Sequence, residues 1–316
     1  MTLDAATQRF LDLAAASPRP ELWTLDPQTA RALTDPMMEA SEHAPEDVFR
    51  VEDRSIPGPG GELPIRIYWP HQPTVALPVL IYFHGGGFVL CNLDTHDSVC
   101  RSLARRSGCL TISVGYRLSP ETKLPGAFDD AYAAAAWVSA NAAELGGAPE
   151  RLAVAGDSAG ATLAAGVTRV ARDRGGPPIA FQLLIYPGTD AQRTPEKYVS
   201  YRDLSQGYFL TRELMDWFRE QQTGVGTDLS DPRISPLGAG DHHNLPPAFV
   251  LTAGFDPLRD EGKAYAEALA EAGVPVTHTC YETTIHGFVS MGRFLPVALE
   301  ALDECATRLR VGLSRG

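Results

Sequence analysis

The chain has 316 residues, 44% of them hydrophobic, which is enough to bury a substantial core in one α/β domain or in two smaller domains. With 27 basic and 39 acidic residues its formal net charge is −12, and its isoelectric point is near 5.1. Such a surface repels nucleic acid and anionic membranes, so we expect neither as a stable partner.

The N-terminal segment has no basic region ahead of an apolar stretch, so it does not resemble a signal peptide. No apolar run approaches the roughly 18 residues of a membrane-spanning helix. The expectation is a soluble cytoplasmic protein. Five cysteines, an odd number without C-x-x-C spacing, indicate neither a disulfide framework nor a zinc site.

The predicted elements begin with an amphipathic helix over residues 3–16. Its apolar face carries Leu3, Phe10, Leu13 and Ala14. The following stretch is rich in proline and charge, and it is predicted to interrupt regular structure through about residue 47.

Eight strand-like segments follow. They cover residues 48–56, 64–70, 78–83, 110–115, 151–155, 180–186, 248–253 and 274–281. From residue 78 onward they are mostly continuous apolar runs, as expected of strands covered on both faces. The first two have no helix between them and are expected to form an antiparallel edge.

Helical patterns separate the later strands. They cover residues 127–143, 159–172, 262–272 and 293–311, the last with Phe294 on its apolar side. Gly273 is expected to cap the third of these helices, and Pro275 prevents its continuation. Alternation of strands and helices predicts βαβ units, and hence an α/β fold with a mainly parallel sheet covered by helices on both faces.

A long insertion at residues 188–225 breaks this alternation. It ends in a predicted helix with Thr211 as N-cap and Leu210 against Met215 as a hydrophobic staple. We interpret the insertion, together with the N-terminal segment, as a helical cap over the active edge of the sheet, although a helical decoration with no role in binding is an alternative. The predicted division is 1–47 first cap segment, 48–187 first part of the core, 188–225 cap insertion, and 226–316 second part of the core.

The strongest chemical signal is the pentapeptide GDSAG at residues 156–160. It lies where the apolar run RLAVA ends and an alanine-rich helix begins. A sharp strand-to-helix turn at this place holds a serine with its hydroxyl exposed, and the helix N-terminus favours developing negative charge. Ser158 is therefore the candidate nucleophile.

A second signal is HGGGF at residues 84–88, directly after the third strand. Acyl transfer places negative charge on the substrate carbonyl oxygen, which needs backbone N–H donors fixed in advance. Glycines let the backbone approach the substrate closely. Gly86 and Gly87 are expected to supply two donors and Ala159 the third, an oxyanion hole; an ordinary glycine-rich turn is the weaker alternative.

A base and its orienting acid are expected later in the chain, in the order serine, acid, histidine. His286 follows the last predicted strand, and Asp256 follows the strand before it. The remaining histidines are assigned to solvent, packing or loop support. Of these, we expect His43, His71, His242 and His243 to face solvent, His278 to pack within a strand, and His84 to hold the glycine loop by hydrogen bonds.

Competing acids have simpler explanations. Asp260 and Glu261 lie where a helix begins and are expected to stabilise its dipole. Asp157 adjoins the nucleophile and is expected to make a structural salt bridge or hydrogen bond. His96 lies near Asp94 and Asp97, a grouping that could indicate a metal site, but a helix start capped by Asp94 explains these residues better. We predict no metal.

The motifs HGGGF, GDSAG, DPLRDEG and IHGF, with YRLSPE at residues 116–121, resemble those of the hormone-sensitive-lipase-like esterases, also called bacterial family IV. The resemblance runs from about residue 50 to residue 300. It implies an α/β-hydrolase fold with an eight-stranded sheet and a two-part cap, and carboxylesterase activity on short acyl chains. It also implies a triad of Ser158, Asp256 and His286, with the oxyanion donors named above.

Four apolar side chains are candidates for the acyl pocket, although ordinary core packing is an equal alternative for each. They are Phe88, Phe209, Leu210 and Phe288. The predicted substrate is a small-molecule ester, and the mechanism requires no cofactor. An amidase, a lactonase or an acyltransferase with the same triad is an alternative function. A non-catalytic small-molecule-binding protein on this fold is a weaker alternative. Formation of a homodimer is left open.

Overall fold

The computed structural model describes residues 2–314, in which eight strands form one sheet. Their order in the sheet is β1-β2-β4-β3-β5-β6-β7-β8. The strands are β1 Arg50–Gly58, β2 Gly61–Trp69, β3 Leu77–Phe83, β4 Leu110–Val114, β5 Gly147–Asp157, β6 Ile179–Ile185, β7 Ala248–Phe255 and β8 Val276–Ile285. All eight predicted strands are therefore present, several of them longer than the apolar runs that indicated them.

The sheet is mainly parallel, as predicted. β1 and β2 form an antiparallel hairpin with Gly58 opposite Gly61, and β2 also pairs antiparallel with β4. Every pairing from β4 to β8 is parallel. The carboxyl ends of β3, β5, β7 and β8 therefore open on the same edge of the sheet, which gathers the loops that follow them.

Helices cover both faces of the sheet. Those of residues 2–314 are α1 Ala5–Ala16, α2 Pro27–Ser41, α3 Asp97–Ser107, α4 Gly126–Asn141, α5 Ala159–Arg174, α6 Val199–Asp203, α7 Arg212–Gln222, α8 Arg259–Glu271 and α9 Val297–Leu313. In β3, Ile81 and Phe83 point toward the helices α4, α5 and α8, while Leu80 and Tyr82 point toward α3 and α9. All four side chains are fully buried. Burial on both faces explains the uninterrupted apolar runs of the central strands.

The N-terminal region contains a helix that the sequence patterns did not predict. α2 begins at Pro27, where Asp26 accepts a hydrogen bond from the backbone N–H of Thr29 at 3.0 Å. A proline in the first turn of a helix has no N–H to leave unsatisfied. The prolines and charges of this stretch predict irregular structure, but they are compatible with a helix, even with Pro36 inside it.

Two details of the predicted helices are wrong. Leu13 and Ala14 of α1 are exposed, Leu13 by 63%, and the helix packs through Ala6, Phe10 and Leu11 instead. The last helix begins at Val297, after Pro296, so Phe294 precedes the helix and is 41% exposed. By contrast Gly273 follows α8 with a φ of 78°, the left-handed conformation expected of a cap glycine.

A third apolar cluster lies apart from the two faces of the sheet. Ala30 of α2 packs with Leu214 and Trp217 of α7, and with Val89 and Leu90 just after the glycine loop. The N-terminal segment and the insertion thus pack on one another above the edge where the glycine loop lies. On this packing we propose that, of the described residues, 2–47 and 188–225 form the cap, while 48–187 and 226–314 form the core.

Thr211 is the N-cap of α7, accepting from the backbone N–H of Leu214 at 3.3 Å, as predicted. Leu210 and Met215 are both buried in the third cluster, consistent with the expected staple. Within residues 2–314 no helix combines the length and the apolar character that crossing a bilayer requires.

Candidate active site

Ser158 lies on a sharp turn between β5 and α5, with φ 54° and ψ −119°. A non-glycine residue rarely adopts this conformation, and here the flanking glycines permit it. A Cβ on Gly160 would lie 1.9 Å from the carbonyl oxygen of Phe83, and one on Gly156 would lie 2.3 Å from the carbonyl carbon of Gly160. The turn therefore closes only with glycine at both positions, as the pentapeptide predicts.

His286 and Asp256 come to Ser158 from two other strand ends. The hydroxyl oxygen of Ser158 lies 2.8 Å from Nε2 of His286, and Nδ1 of that ring lies 2.7 Å from Oδ2 of Asp256. Asp256 is fully buried, and its other oxygen accepts the backbone N–H of Leu258 at 2.8 Å. The structure thus brings together the three side chains that the sequence singled out.

This order of contacts defines the chemistry that the three groups support. A buried carboxylate beside Nδ1 holds the proton on that nitrogen, so Nε2 of His286 is free to accept the hydroxyl proton of Ser158. In this tautomer Nε2 of His286 accepts a hydrogen bond from the Ser158 hydroxyl and acts as a base toward it. The helix α5 begins immediately after the serine, with its positive end at the reacting atom.

The glycine loop after β3 lies at the same cavity as Ser158. Gly86 and Gly87 have φ values of 99° and 60°, which glycine adopts without strain. Within residues 2–314, the backbone N–H groups of Gly86, Gly87 and Ala159 donate to no protein acceptor. Gly86, Gly87 and Ser158 line a common cavity, so these donors are available to a bound oxygen.

The carboxylate of Asp157 holds this loop from beneath. It accepts the backbone N–H of Gly85 at 2.9 Å and the hydroxyl of Tyr82 at 2.8 Å, and it pairs with Nε2 of His96 at 3.2 Å. Burial opposes its charge, but the attraction of His96 and these hydrogen bonds outweigh burial and lower the pKa of Asp157. The pKa of His96 is raised because Asp157 likewise outweighs its burial.

His84 supports the same loop, as expected. Its ring stacks on that of Tyr116 with centroids 4.4 Å apart, and its Nδ1 donates to the carbonyl of Gly85 at 2.8 Å. Burial lowers the pKa of His84 to about 3, so the ring is neutral. The hydroxyl of Tyr116 donates to the carbonyl of His84 at 2.8 Å and completes the support.

Two of the histidines predicted to face solvent are buried instead. Nε2 of His43 lies 2.7 Å from the hydroxyl of Ser102, and Nδ1 of His242 lies 2.9 Å from the guanidinium of Arg169. The polar sequence around each did not reveal that another element covers it.

The expected cap at Asp94 is also wrong, because its carboxylate contacts Arg66 at 2.8 Å. Asn92 and Glu42 accept the N–H groups at this helix start, including that of Ser98. Within residues 2–314 no three metal-ligating side chains gather in a cluster.

Two cavities meet at Ser158. The first, which we call the arginine cavity, has a volume of about 100 Å³. It is lined among others by Phe88, Leu124, Arg193, Arg219, Gln222 and Ile234. The second, the apolar cavity, has a volume of about 90 Å³ and is lined among others by Leu22, Met38, Leu90, Phe209, Leu214 and His286. Leu210 and Phe218 line both.

Three of the four acyl-pocket candidates line these cavities. Phe88 faces the arginine cavity, Phe209 faces the apolar cavity with 38% of its surface exposed, and Leu210 faces both. Phe288 does not line either. It is fully buried against Tyr186 and belongs to the core, because the chain turns inward directly after His286. The prediction that Phe288 lines the acyl pocket is therefore wrong.

Sequence reasoning missed several residues that the fold brings to the site. Phe218 packs its ring on Gly87, and Gln222 donates to the carbonyl of Gly87 at 2.7 Å, both from α7. Tyr186 has an unusual φ of 36° at the end of β6, and its ring lies 4.6 Å from that of His286. The amphipathic pattern of α7 was visible in the sequence, but no local signal shows which strand-end loop this helix covers.

Known proteins resemble this chain over most of its length. A family model described as alpha/beta hydrolase fold matches residues 80–290. Carboxylesterase NlhH of Mycobacterium tuberculosis is 43% identical over 291 residues, or 90% of this chain and 89% of that protein. Ethyl acetate hydrolase of Pseudomonas putida is 41% identical over 77% of this chain and 76% of that protein. A structure of an ester hydrolase from the metagenome of Lake Arreo, in complex with a bipyridine phosphonate derivative, has a TM-score of 0.95 and 46% identity, covering 99% and 100%.

Proposed function

The chain belongs to the hormone-sensitive-lipase-like esterases of the α/β-hydrolase fold, and we propose that it hydrolyses short-chain carboxylic esters with Ser158, His286 and Asp256. The carboxylic ester hydrolases among its relatives support the reaction class. The single observation that carries the residue assignment is the unbroken chain of contacts Oγ–Nε2 at 2.8 Å and Nδ1–Oδ2 at 2.7 Å.

In the proposed first step, the Ser158 oxygen attacks the ester carbonyl carbon while Nε2 of His286 takes the hydroxyl proton. Asp256 stabilises the imidazolium that forms and keeps its orientation. The tetrahedral intermediate then expels the alkoxide, which leaves as the alcohol with the proton from His286. An acyl-enzyme remains on Ser158.

The second step reverses these roles with water in place of the alcohol. His286 takes a proton from water, whose oxygen attacks the acyl carbon. The carboxylic acid is released when His286 returns the proton to Ser158. In both steps, the negative charge on the carbonyl oxygen is proposed to rest on the N–H groups of Gly86, Gly87 and Ala159, which have no protein acceptor within residues 2–314.

The preference for short acyl chains follows from the enclosed space around the serine. The cap closes the apolar cavity with Phe209, Leu210 and Leu214, and these side chains limit the length of chain that reaches Ser158. The name of one relative, ethyl acetate hydrolase, refers to an ester with a two-carbon acyl group. We propose Phe88, Phe209 and Leu210 as substrate-binding residues.

Hydrolysis of p-nitrophenyl esters from acetate to palmitate tests the proposal. The wild type is expected to turn over the acetate and butyrate esters best, and Ser158→Ala to lose this activity while keeping its circular dichroism spectrum. Ser230→Ala, at an exposed serine that lines neither cavity, is the matched control and should retain full activity. A folded wild type that hydrolyses none of these esters would contradict the proposed function.

A further inference from the structure

The two cavities that meet at Ser158 differ in charge. Of the residues that the structure describes, no lysine or arginine lines the apolar cavity, whereas two arginines line the other. Both cavities adjoin the serine hydroxyl, so an ester bound there extends one of its two arms into each. The two arms of the substrate therefore meet different chemistry.

Of the two cations, Arg193 is already neutralised. Its Nε lies 2.6 Å from Oε2 of Glu261 and its Nη2 lies 3.0 Å from Oε1 of the same carboxylate. Glu261 is fully buried and also accepts the backbone N–H of Thr189 at 2.7 Å. This ion pair fixes the wall of the arginine cavity but leaves little charge for a ligand.

Arg219 is different. It is half-buried on α7, and Nη2 donates to the backbone carbonyl of Ala191 at 2.9 Å, a contact that holds the guanidinium in the cavity wall. Among residues 2–314, the Arg219 guanidinium forms no salt bridge, and this carbonyl is its one hydrogen-bond acceptor. Arg219 thus lines a cavity that also contains the nucleophile, and its guanidinium is held at one N–H while its other N–H donors have no protein acceptor within residues 2–314.

We propose that Arg219 selects esters that carry a carboxylate on the arm that enters the arginine cavity. This inference rests on the proposed esterase function and assigns a substrate class to it. A guanidinium pairs with a carboxylate through two parallel N–H···O bonds, which makes it a better partner for this anion than for a neutral group. The other arm of the substrate enters the apolar cavity and is apolar.

The net charge of the protein determines how an anionic ester could be selected. A net charge of −12 repels anionic substrates in general, so an anionic ester gains nothing from long-range attraction. Discrimination in favour of a carboxylate must therefore arise at short range, and Arg219 is the unpaired cation lining the cavities at Ser158 in the described part of the chain.

The test compares kcat/KM for isosteric pairs that differ only in charge. Monoethyl succinate against ethyl succinamate places the carboxylate on the acyl side, and 3-acetoxypropanoate against 3-acetoxypropanamide places it on the alcohol side. In Arg219→Gln the ratio of anionic to neutral kcat/KM should fall about tenfold to a hundredfold for at least one pair, the range expected for a charge-assisted hydrogen bond. Arg212→Gln, on the same helix but outside both cavities, is the matched control and should keep the wild-type ratio.

The outcomes separate this inference from the proposed function. If the wild type hydrolyses p-nitrophenyl butyrate but neither carboxylate ester, or if both ratios are the same in wild type and Arg219→Gln, the assignment of Arg219 is overturned and the esterase function stands. If the wild type hydrolyses no ester at all, that result contradicts the proposed esterase function instead. If Arg219→Gln does not fold, Arg219→Met replaces it in the test, because methionine keeps the packing of the aliphatic part of the side chain. The ratio of anionic to neutral kcat/KM must then fall by the same factor in Arg219→Met.

Discussion

Replacing Asp157 with alanine is expected to destabilise the protein and to slow the reaction together. This carboxylate makes no contact with the proposed triad, although it adjoins Ser158 in sequence. It instead accepts the N–H of Gly85 at 2.9 Å and the hydroxyl of Tyr82 at 2.8 Å, and it pairs with His96 at 3.2 Å. Its removal leaves these three buried partners unsatisfied.

The magnitude follows from these contacts. Removing one partner of a buried ion pair costs about 3–5 kcal/mol, and each buried donor left without an acceptor costs about 1–3 kcal/mol. The contributions overlap because they describe the same groups, so we expect the free energy of unfolding to fall by about 3–5 kcal/mol. Because Gly85 begins the loop that carries the proposed oxyanion donors, kcat should also fall at least about tenfold.

The pH dependence of Asp157→Asn distinguishes the ion pair from simple packing. Although burial opposes it, the pKa of His96 is raised from 6.5, so its contribution to stability is complete below pH 6.5 and is lost as pH rises through the folded-state pKa. The pKa of Asp157 is lowered from 3.8 despite burial, so its contribution is present above pH 3.8 and is lost as pH falls through the folded-state pKa. Asparagine keeps the shape but not the charge. The stability difference between wild type and this variant should therefore be largest between about pH 4 and 6.5 and should narrow at higher pH.

Urea unfolding at pH 5.5 and pH 9, together with kcat for p-nitrophenyl butyrate, measures both effects. Asp173→Asn, at an exposed carboxylate paired with Arg172, is the matched control and should change neither quantity by more than about 0.5 kcal/mol or its equivalent in rate. A loss below about 1 kcal/mol in Asp157→Ala, or an equal loss at the two pH values in Asp157→Asn, would refute the reasoning.

Three further substitutions test the turn, the glycine loop and the cap. Gly160→Ala should lose more than about 4 kcal/mol of stability, because its Cβ would lie 1.9 Å from the Phe83 carbonyl oxygen; urea unfolding or failure to accumulate folded protein checks this. Gln222→Ala should lower kcat/KM about five- to tenfold, since it releases the Gly87 carbonyl held at 2.7 Å, and steady-state kinetics measures the change. Phe209→Ala should extend the range of acyl lengths accepted while costing less than about 1 kcal/mol, because the side chain is 38% exposed; the p-nitrophenyl ester series and urea unfolding give both quantities.

Each of these has a control or a contradicting result. Gly238→Ala adds a Cβ whose nearest neighbour is 3.7 Å away and should be tolerated. Gln221→Ala alters the neighbouring glutamine, whose backbone carbonyl, not its side chain, contacts Lys123, and should leave kcat/KM unchanged. For Phe209→Ala, an unchanged acyl-length profile with a large loss of stability would identify the side chain as packing and not as part of the pocket.

Local sequence was sufficient for the strands, for the nucleophile turn and for the partners of Ser158. Continuous apolar runs predict buried parallel strands because both faces must be covered, and parallel strands place their carboxyl ends on one edge. Asp256 and His286 follow two such ends, so both are expected on the sheet edge that carries the serine. The turn at Gly156 and Gly160 was equally accessible, because its requirement for glycine is local.

Tertiary structure alone decided which residues from distant segments cover that edge. The sequence does not predict α2, because Pro27 and Pro36 interrupt its helical pattern. The local sequences of α2 and α7 also do not show that the two helices pack together. His43 and His242 lie in polar sequence yet are buried by other elements, and Phe288 lies beside the site in sequence yet points into the core. Arg219 belongs to the same class, since an arginine on an amphipathic helix is ordinary until the cap places it beside Ser158. A periodic pattern specifies that one face of a helix is covered, but only the packing of the whole chain determines what covers it.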